Sequence, residues 1–286
     1  MKIKTFIQLI RPKHWLKNGL VLLPALFAGN ILERNILLIG FFGFISFSFL
    51  ASAVYTVNDI CDAKHDRLHE KKKLRPLAMG ELGTSTAVIC AVLLIAVCAV
   101  ANVFAGAGTA AWVCLVVYLV LNLVYSFGLK HIPLVDLVIL ASGFVLRIVY
   151  GSVITGIPVS NWMYLVIISA SFYMSLGKRR NEVAKSADIR PVFKYYNHSF
   201  LDKNMYVCFS LTVVFYSLWC IDSPVSGMLI WTVPVTLLIL MRYSMITETR
   251  TSGDPVDVLM SDKILIFLAG AYMSMMFVFL YGKDLL

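Results

Sequence analysis

Three aspartates, Asp59, Asp62 and Asp66, stand at i, i+3 and i+7 between two long apolar stretches. On a helix that spacing brings all three carboxylates onto one face. Carboxylates so close repel one another unless a cation lies among them. Their hard oxygens suit Mg2+ shared with a phosphorylated substrate, which makes all three candidate metal ligands and catalytic residues. The same stretch, NDICDAKHDRLHEKKKLRPLAMG over 58–80, carries six Lys/Arg. Of these, Arg67, Lys71, Lys72, Lys73 and Arg75 would face the remaining phosphate charge. Asn58 offers a neutral oxygen or a hydrogen bond to substrate, or caps the following helix. A solvated loop of mixed charge is the plainer reading. Against it, Asn58 and Asp59 directly end an apolar run, and the three acids share a face. The pattern points to a metal–diphosphate site at the edge of a membrane.

Four further groups of residues bear on that site. Gly177-Lys178-Arg179-Arg180-Asn181-Glu182 closes another apolar run. It reads either as positive anchoring at a membrane surface or as Lys178 and Arg179 binding phosphate with Glu182 assisting metal or substrate. Tyr125, Ser126, Lys130 and Asp136 surround a very short turn between two apolar segments. Asp136 and Arg147 both lie inside one such segment, where a charge is costly and normally has a partner or a role. They are eleven residues apart and project on a similar face. They are too far apart to touch, and are expected to line one polar cavity. Arg11, Trp15, Lys17 and Asn18 form an ordinary interfacial anchor pattern, with Lys17 a candidate for substrate. Gly253, Asp254, Pro255, Asp257 and Asp262 read equally well as a polar turn. The five histidines show no Zn2+ spacing, though His69 could touch phosphate. The six cysteines contain no CxxC pair, and five lie in or beside apolar spans as small buried residues.

The elements that must hold these residues are membrane helices. The chain has 286 residues, 59% of them hydrophobic, and a mean hydropathy of +0.82. Soluble domains are closer to half apolar. The apolar residues come in runs of about 20, enough to cross a bilayer. Nine spans are expected, near 17–32, 36–57, 85–104, 108–127, 132–154, 161–178, 205–222, 226–245 and 263–282, the first with an amphipathic lead-in. This is an all-α, polytopic membrane bundle in one domain over 1–286, with no removable signal peptide expected. Nine spans place 22 of the 25 Lys/Arg on one side and only Arg34 and Lys283 on the other, with Arg147 inside a span. The basic side is then cytoplasmic, with the N-terminus on it and the C-terminus opposite. The net charge of +9 reflects topology and anionic substrates rather than nucleic acid.

NDxxDxxxDR after a membrane span resembles the UbiA superfamily of intramembrane prenyltransferases. The segments RPKHWLKN, YSFGLKHIPLVDLVILASGFVLR and SLGKRRNE resemble its polyprenyl-phosphate phosphoribosyltransferase branch, and the likeness runs from about Arg11 to Asp262. It implies nine helices around a cytoplasm-facing cavity in the cell's inner membrane, and Mg2+ as cofactor. The implied reaction moves 5-phosphoribosyl from phosphoribosyl diphosphate to a decaprenyl-phosphate-like polyprenyl phosphate, releasing diphosphate. Mg2+ on Asp59, Asp62 and Asp66 would stabilise the leaving group, and Lys130, Lys178 and Arg179 would neutralise phosphate. General members carry a second DxxxD-type motif after the sixth span. Here Lys178, Arg179 and Glu182 stand there, which suits a donor richer in phosphate. The alternative within the family is prenyl transfer from a prenyl diphosphate to an aromatic or other acceptor. A transporter would instead concentrate its polar groups at mid-depth. The sequence leaves the lipid's chain length and the oligomeric state open, a homo-oligomer included.

Overall fold

The computed structural model of the chain describes residues 3–68, 72–185, 191–223, 226–249 and 254–285; His69, Lys71 and Gly253 lie outside them. The described residues form helices and turns, with no strand among them. The first segment runs α1 (Ile3–Ile10), a 3-10 helix (Pro12–Leu22), α2 (Leu23–Phe27) and α3 (Arg34–Asp66). A 3-10 turn (Lys72–Leu74) and α4 (Pro76–Met79) lead to α5 (Thr84–Phe104) and α6 (Thr109–Phe127). After a 3-10 turn (Leu129–His131) come α7 (Val135–Thr155) and α8 (Asn161–Lys185). A further 3-10 helix (Pro191–Tyr195), α9 (His198–Asp222), α10 (Ser226–Leu229) and a 3-10 turn (Ile230–Thr232) follow. The chain then forms α11 (Val233–Thr249), α12 (Pro255–Ser261) and α13 (Lys263–Leu285). Prolines open the segment at Pro12 and the short helices α4 and α12, where a missing N–H costs nothing.

Among the described residues, seven helices are long and apolar enough to cross a membrane: Arg34–Asp66, Thr84–Phe104, Thr109–Phe127, Val135–Thr155, His198–Asp222, Gly227–Glu248 and Lys263–Gly282. Two of the expected spans differ from that description. The segment expected as a helix over 17–32 is a 3-10 helix followed by the five-residue α2, ending at a turn with Gly29 at φ 80°. Pro24 and the glycines at 19 and 29 interrupt regular α-helix there. Helix α8 has the length, but Ser169, Ser171, Ser175 and the charged run from Lys178 dilute its hydropathy. Those polar groups turn inward: Ser171, Ser175 and Arg179 follow one another at i, i+4 and i+8, all buried.

The chain divides into two compact units. The first comprises Met1–Leu26, Asn30–Lys130 and Leu146–Pro158, and the second Phe27–Gly29, His131–Val145 and Val159–Leu286. In the first, α3 packs along α5, α6 and the first 3-10 helix. The rings of Phe47 and Tyr118 meet at a tilt with centroids 4.6 Å apart, and those of Phe47 and Tyr150 at 5.6 Å, in its core. Close backbone approach makes that packing possible. A Cβ on Gly151 would stand 2.0 Å from the Val21 carbonyl oxygen. Small residues at such contacts are how membrane helices gain dispersion contacts where water supplies no hydrophobic drive. In the second unit α8 packs along α9, with Tyr173, Leu176, Leu201, Met205, Tyr243 and Ile246 in its core. Large apolar side chains such as Leu93, Val100, Phe104 and Phe267 face outward, as lipid contact requires.

Candidate active site

The acidic motif lies on helix as its spacing predicts, in the last turns of α3, which runs 33 residues without a break. Asp59 and Asp66 are buried, and Asp62 keeps 15% side-chain exposure. Each carboxylate is met by a cation from elsewhere in the first unit. Arg11 Nη2 donates to both oxygens of Asp59, within 2.6 Å. Arg75 Nη1 donates to Asp59 Oδ1 at 2.9 Å and to Asp66 Oδ2 at 2.6 Å, bridging the two acids. Lys130 Nζ donates to Asp62 Oδ1. Repulsion along the acidic face is therefore relieved by three basic side chains. In a poorly solvated site each pair matters: removing one partner of a buried pair typically costs about 3–5 kcal/mol.

Around this core the structure places the other residues singled out in the first unit. Asn58 Oδ1 accepts from Ser126 Oγ at 3.2 Å, tying the motif to the end of α6. Arg67 is exposed and its Nε donates to the Ala78 carbonyl at 3.1 Å, closing the loop after the motif. Lys73 is exposed in the short 3-10 turn, and Tyr125 is partly buried on α6. Lys17 is partly buried on the first 3-10 helix. Arg147 is buried, with Nε donating to Asn18 Oδ1 at 2.8 Å and Nη2 to the Tyr118 hydroxyl at 3.2 Å. Its guanidinium also lies 4.9 Å from the Phe47 ring centroid, so it is held by neutral acceptors and aromatic faces.

The second unit holds a separate polar chain. Asp136, in the first turn of α7, and Arg179, near the end of α8, are both fully buried. Arg179 Nε donates to Asp136 Oδ2 at 2.6 Å, and its Nη1 donates to Glu182 one turn on. The Tyr196 hydroxyl donates to Asp136 Oδ1 at 2.5 Å and accepts from the Leu134 N–H at 2.7 Å. Leu134 has φ 65°, rare for a branched side chain, and this bond satisfies its amide. Burial, with the bond to Asp136, pushes the Tyr196 phenol well above its ordinary range, so it remains a donor. Glu182 is the member that reaches solvent, at 28% side-chain exposure. Arg179, expected to bind phosphate, is sealed between two acids; Lys178 beside it is partly exposed. Asp136 and Arg147, expected to line one cavity, have separate partner sets. Asp136 is paired with the Arg179 guanidinium, whereas Arg147 lies against the Asn18 amide oxygen, the Tyr118 phenol and the Phe47 ring.

The group after α11 serves structure. Asp254 caps α12 by accepting from the Val256 N–H at 3.0 Å. Asp262 accepts from the Leu265 N–H at 2.9 Å and from both Nε and Nη2 of Arg242. Sequence reasoning missed two members of the polar clusters. Arg11 was absorbed into the anchor pattern around Trp15. Tyr196 stands in a segment whose only visible signal is the aromatic pair Tyr195-Tyr196.

The donor set around α3 fits a hard divalent cation. Mg2+ is commonly held by one or two carboxylates while substrate phosphates complete its shell. Among the described residues no three His, Cys, Asp or Glu groups converge on one point, so the protein supplies a partial set rather than a closed cage. Asp59, Asp62 and Asp66, with the Asn58 amide oxygen nearby, are the residues that would hold it.

A helical membrane domain with an acidic motif at the end of its longest helix, each carboxylate matched by a basic side chain, defines a class of membrane-embedded enzymes that handle diphosphates. The chain belongs to the UbiA prenyltransferase family, which matches residues 20–188, and is a multi-pass membrane protein. It is 37% identical to the decaprenyl-phosphate phosphoribosyltransferase of Corynebacterium glutamicum, over 93% of this chain and 83% of that one. It is 33% identical to the decaprenyl-phosphate phosphoribosyltransferase of Mycobacterium tuberculosis, over 94% of this chain and 91% of that one. Its fold is similar to that of a UbiA homolog from Archaeoglobus fulgidus bound to GPP and Mg2+, with a TM-score of 0.73 and 18% identity over 96% of this chain and 99% of that one.

Proposed function

We propose that this chain is a glycosyltransferase that moves a 5-phosphoribosyl group from phosphoribosyl diphosphate to a membrane polyprenyl phosphate. The bond between ribose C1 and the diphosphate oxygen breaks. A lipid phosphate oxygen bonds to C1, and diphosphate departs with the electron pair. The observation that carries the reading is the cluster of three carboxylates and three cations at the end of α3. Its likeness along more than nine-tenths of the chain to relatives named as decaprenyl-phosphate phosphoribosyltransferases supports the donor and acceptor.

Mg2+, which is bound in a solved structure of the same fold, would supply charge neutralisation of the departing diphosphate. Asp59 and Asp62 are its proposed ligands, with Asp66 completing the acidic face. Arg75 and Lys130, which pair with these acids, are the cations positioned to meet phosphate charge. Arg67, Lys73, Tyr125 and Lys17 remain proposed contacts for substrate in the first unit. The ribose acquires oxocarbenium character in sugar transfer, and the acceptor is itself an anion, so no protein nucleophile is required. Catalysis is then positioning and electrostatic stabilisation in a partly dry site. The basic loops face the cytoplasm and the protein resides in the inner membrane, where a soluble donor and a lipid acceptor can meet.

The test is a transfer assay in detergent with Mg2+, sugar-labelled phosphoribosyl diphosphate and a polyprenyl phosphate. Label is expected in an organic-extractable lipid and is lost with EDTA. Absence of labelled lipid, with a prenyl diphosphate consumed when an aromatic acceptor is supplied, would assign prenyl transfer instead.

A further inference from the structure

Arg11 occupies a particular place in the first unit. It joins α1 to the first 3-10 helix with φ 50°, a left-handed conformation unusual for a residue with a Cβ. Its guanidinium covers both oxygens of Asp59 and lies 5.2 Å from the Tyr55 ring centroid. Asp59 is 2% exposed while Arg11 keeps 17%. A hard divalent cation needs an oxygen that this guanidinium now holds. Arg75 reaches only Oδ1 of Asp59, so departure of Arg11 would open Oδ2.

We infer that Arg11 is an internal counter-ion that occupies the metal-binding face of Asp59 until a divalent cation displaces it. The inference rests on the metal-site reading above. The backbone on either side is pinned to its surroundings. Leu9 is fully buried beside Leu77 and Leu82. The Ile10 carbonyl accepts from Ser52 Oγ at 2.7 Å, and Trp15 Nε1 donates to the same Ser52 Oγ at 2.9 Å. The exchange is therefore a rotation of the Arg11 side chain and leaves α1 docked. The guanidinium can move because it is the most water-accessible member of its pair, and the ammonium or guanidinium that leaves an acid is stabilised by water. The device compensates a buried carboxylate with a charge that a divalent cation must displace, so metal affinity depends on that competition.

The test uses the full chain in detergent without substrates, titrated with Mn2+ and read by the paramagnetic resonance of free Mn2+. Arg11→Gln is expected to bind Mn2+ about tenfold more tightly than the unaltered protein, because a competing cation is gone. Unchanged or weaker binding would overturn the inference, since a residue that merely orients Asp59 would lose affinity when removed. A second measurement needs no variant. Modification of Arg11 by phenylglyoxal, followed by peptide mass spectrometry, should accelerate when Mn2+ is present; an unchanged rate while Mn2+ binds would also overturn it. If the unaltered protein binds Mn2+ and Asp62→Asn does not, the metal site stands whatever Arg11 does. If neither the unaltered protein nor Arg11→Gln binds Mn2+, the metal site and the counter-ion role fall together.

Discussion

Asp62 is the acid of the motif with the simplest pairing, one ammonium on one oxygen, at the most exposed of the three carboxylates. Asp62→Asn should lower kcat by at least about a hundredfold, the scale on which positioned charge stabilisation acts, and should also lower the thermal midpoint, because the buried Lys130 loses its counter-charge. Paired turnover and unfolding measurements would check this. Asp59→Asn should lose turnover too, and also cost about 3–5 kcal/mol of stability, since two guanidiniums share that acid. Tyr196→Phe removes the partner of both the Leu134 N–H and Asp136. It should cost about 1–3 kcal/mol for the groups left unsatisfied, read from unfolding in detergent. The three aspartates were legible because i, i+3, i+7 is a local pattern. Their partners were less so. Lys130 lies 68 residues from Asp62 and Arg11 lies 48 from Asp59, and no local periodicity encodes such pairings. Asp136 was recognisable as a buried charge needing a partner, but nothing short of the fold assigns that partner to Arg179.

At the scale of elements, α3 unites span and site: one uninterrupted helix buries Phe47 and Leu50 and then presents Asp59, Asp62 and Asp66. The first 3-10 helix, which packs along it, is itself held close to α7 at a glycine. Gly151→Ala would drive a methyl group into the Val21 carbonyl, 2.0 Å away. Backbone must move, so a loss of about 1–3 kcal/mol or more is expected; an unchanged unfolding midpoint would contradict the close approach. Long apolar runs such as Thr84–Phe104 and Thr109–Phe127 were readable from hydropathy alone. The 17–32 segment was not, because an apolar composition carries no information on whether proline and glycine will turn α-helix into 3-10 helix. Helix α8 was the opposite case. Its inward serines and Arg179 lower its hydropathy: Ser171 Oγ bonds back to the Ile167 carbonyl of the same helix, Arg179 meets Asp136, and the Asn181 amide donates to the Thr247 carbonyl at 2.7 Å.

For the whole molecule, the asymmetry of Lys and Arg fixes the expected orientation. The two ends of α3 provide the check. In a cysteine-free background, Lys64→Cys should react with a membrane-impermeant maleimide from the cytoplasmic face and Arg34→Cys from the other; the reverse pattern would invert the proposed topology. In the proposed reaction the sugar travels to the lipid and the diphosphate does not. The most direct measurement supplies phosphoribosyl diphosphate labelled in the ribose in one reaction and in the β-phosphorus in another, each with polyprenyl phosphate and Mg2+. Ribose label is expected in the lipid and β-phosphorus label in water-soluble diphosphate. β-Phosphorus label in the lipid, or ribose label that stays wholly in the aqueous phase, would contradict it.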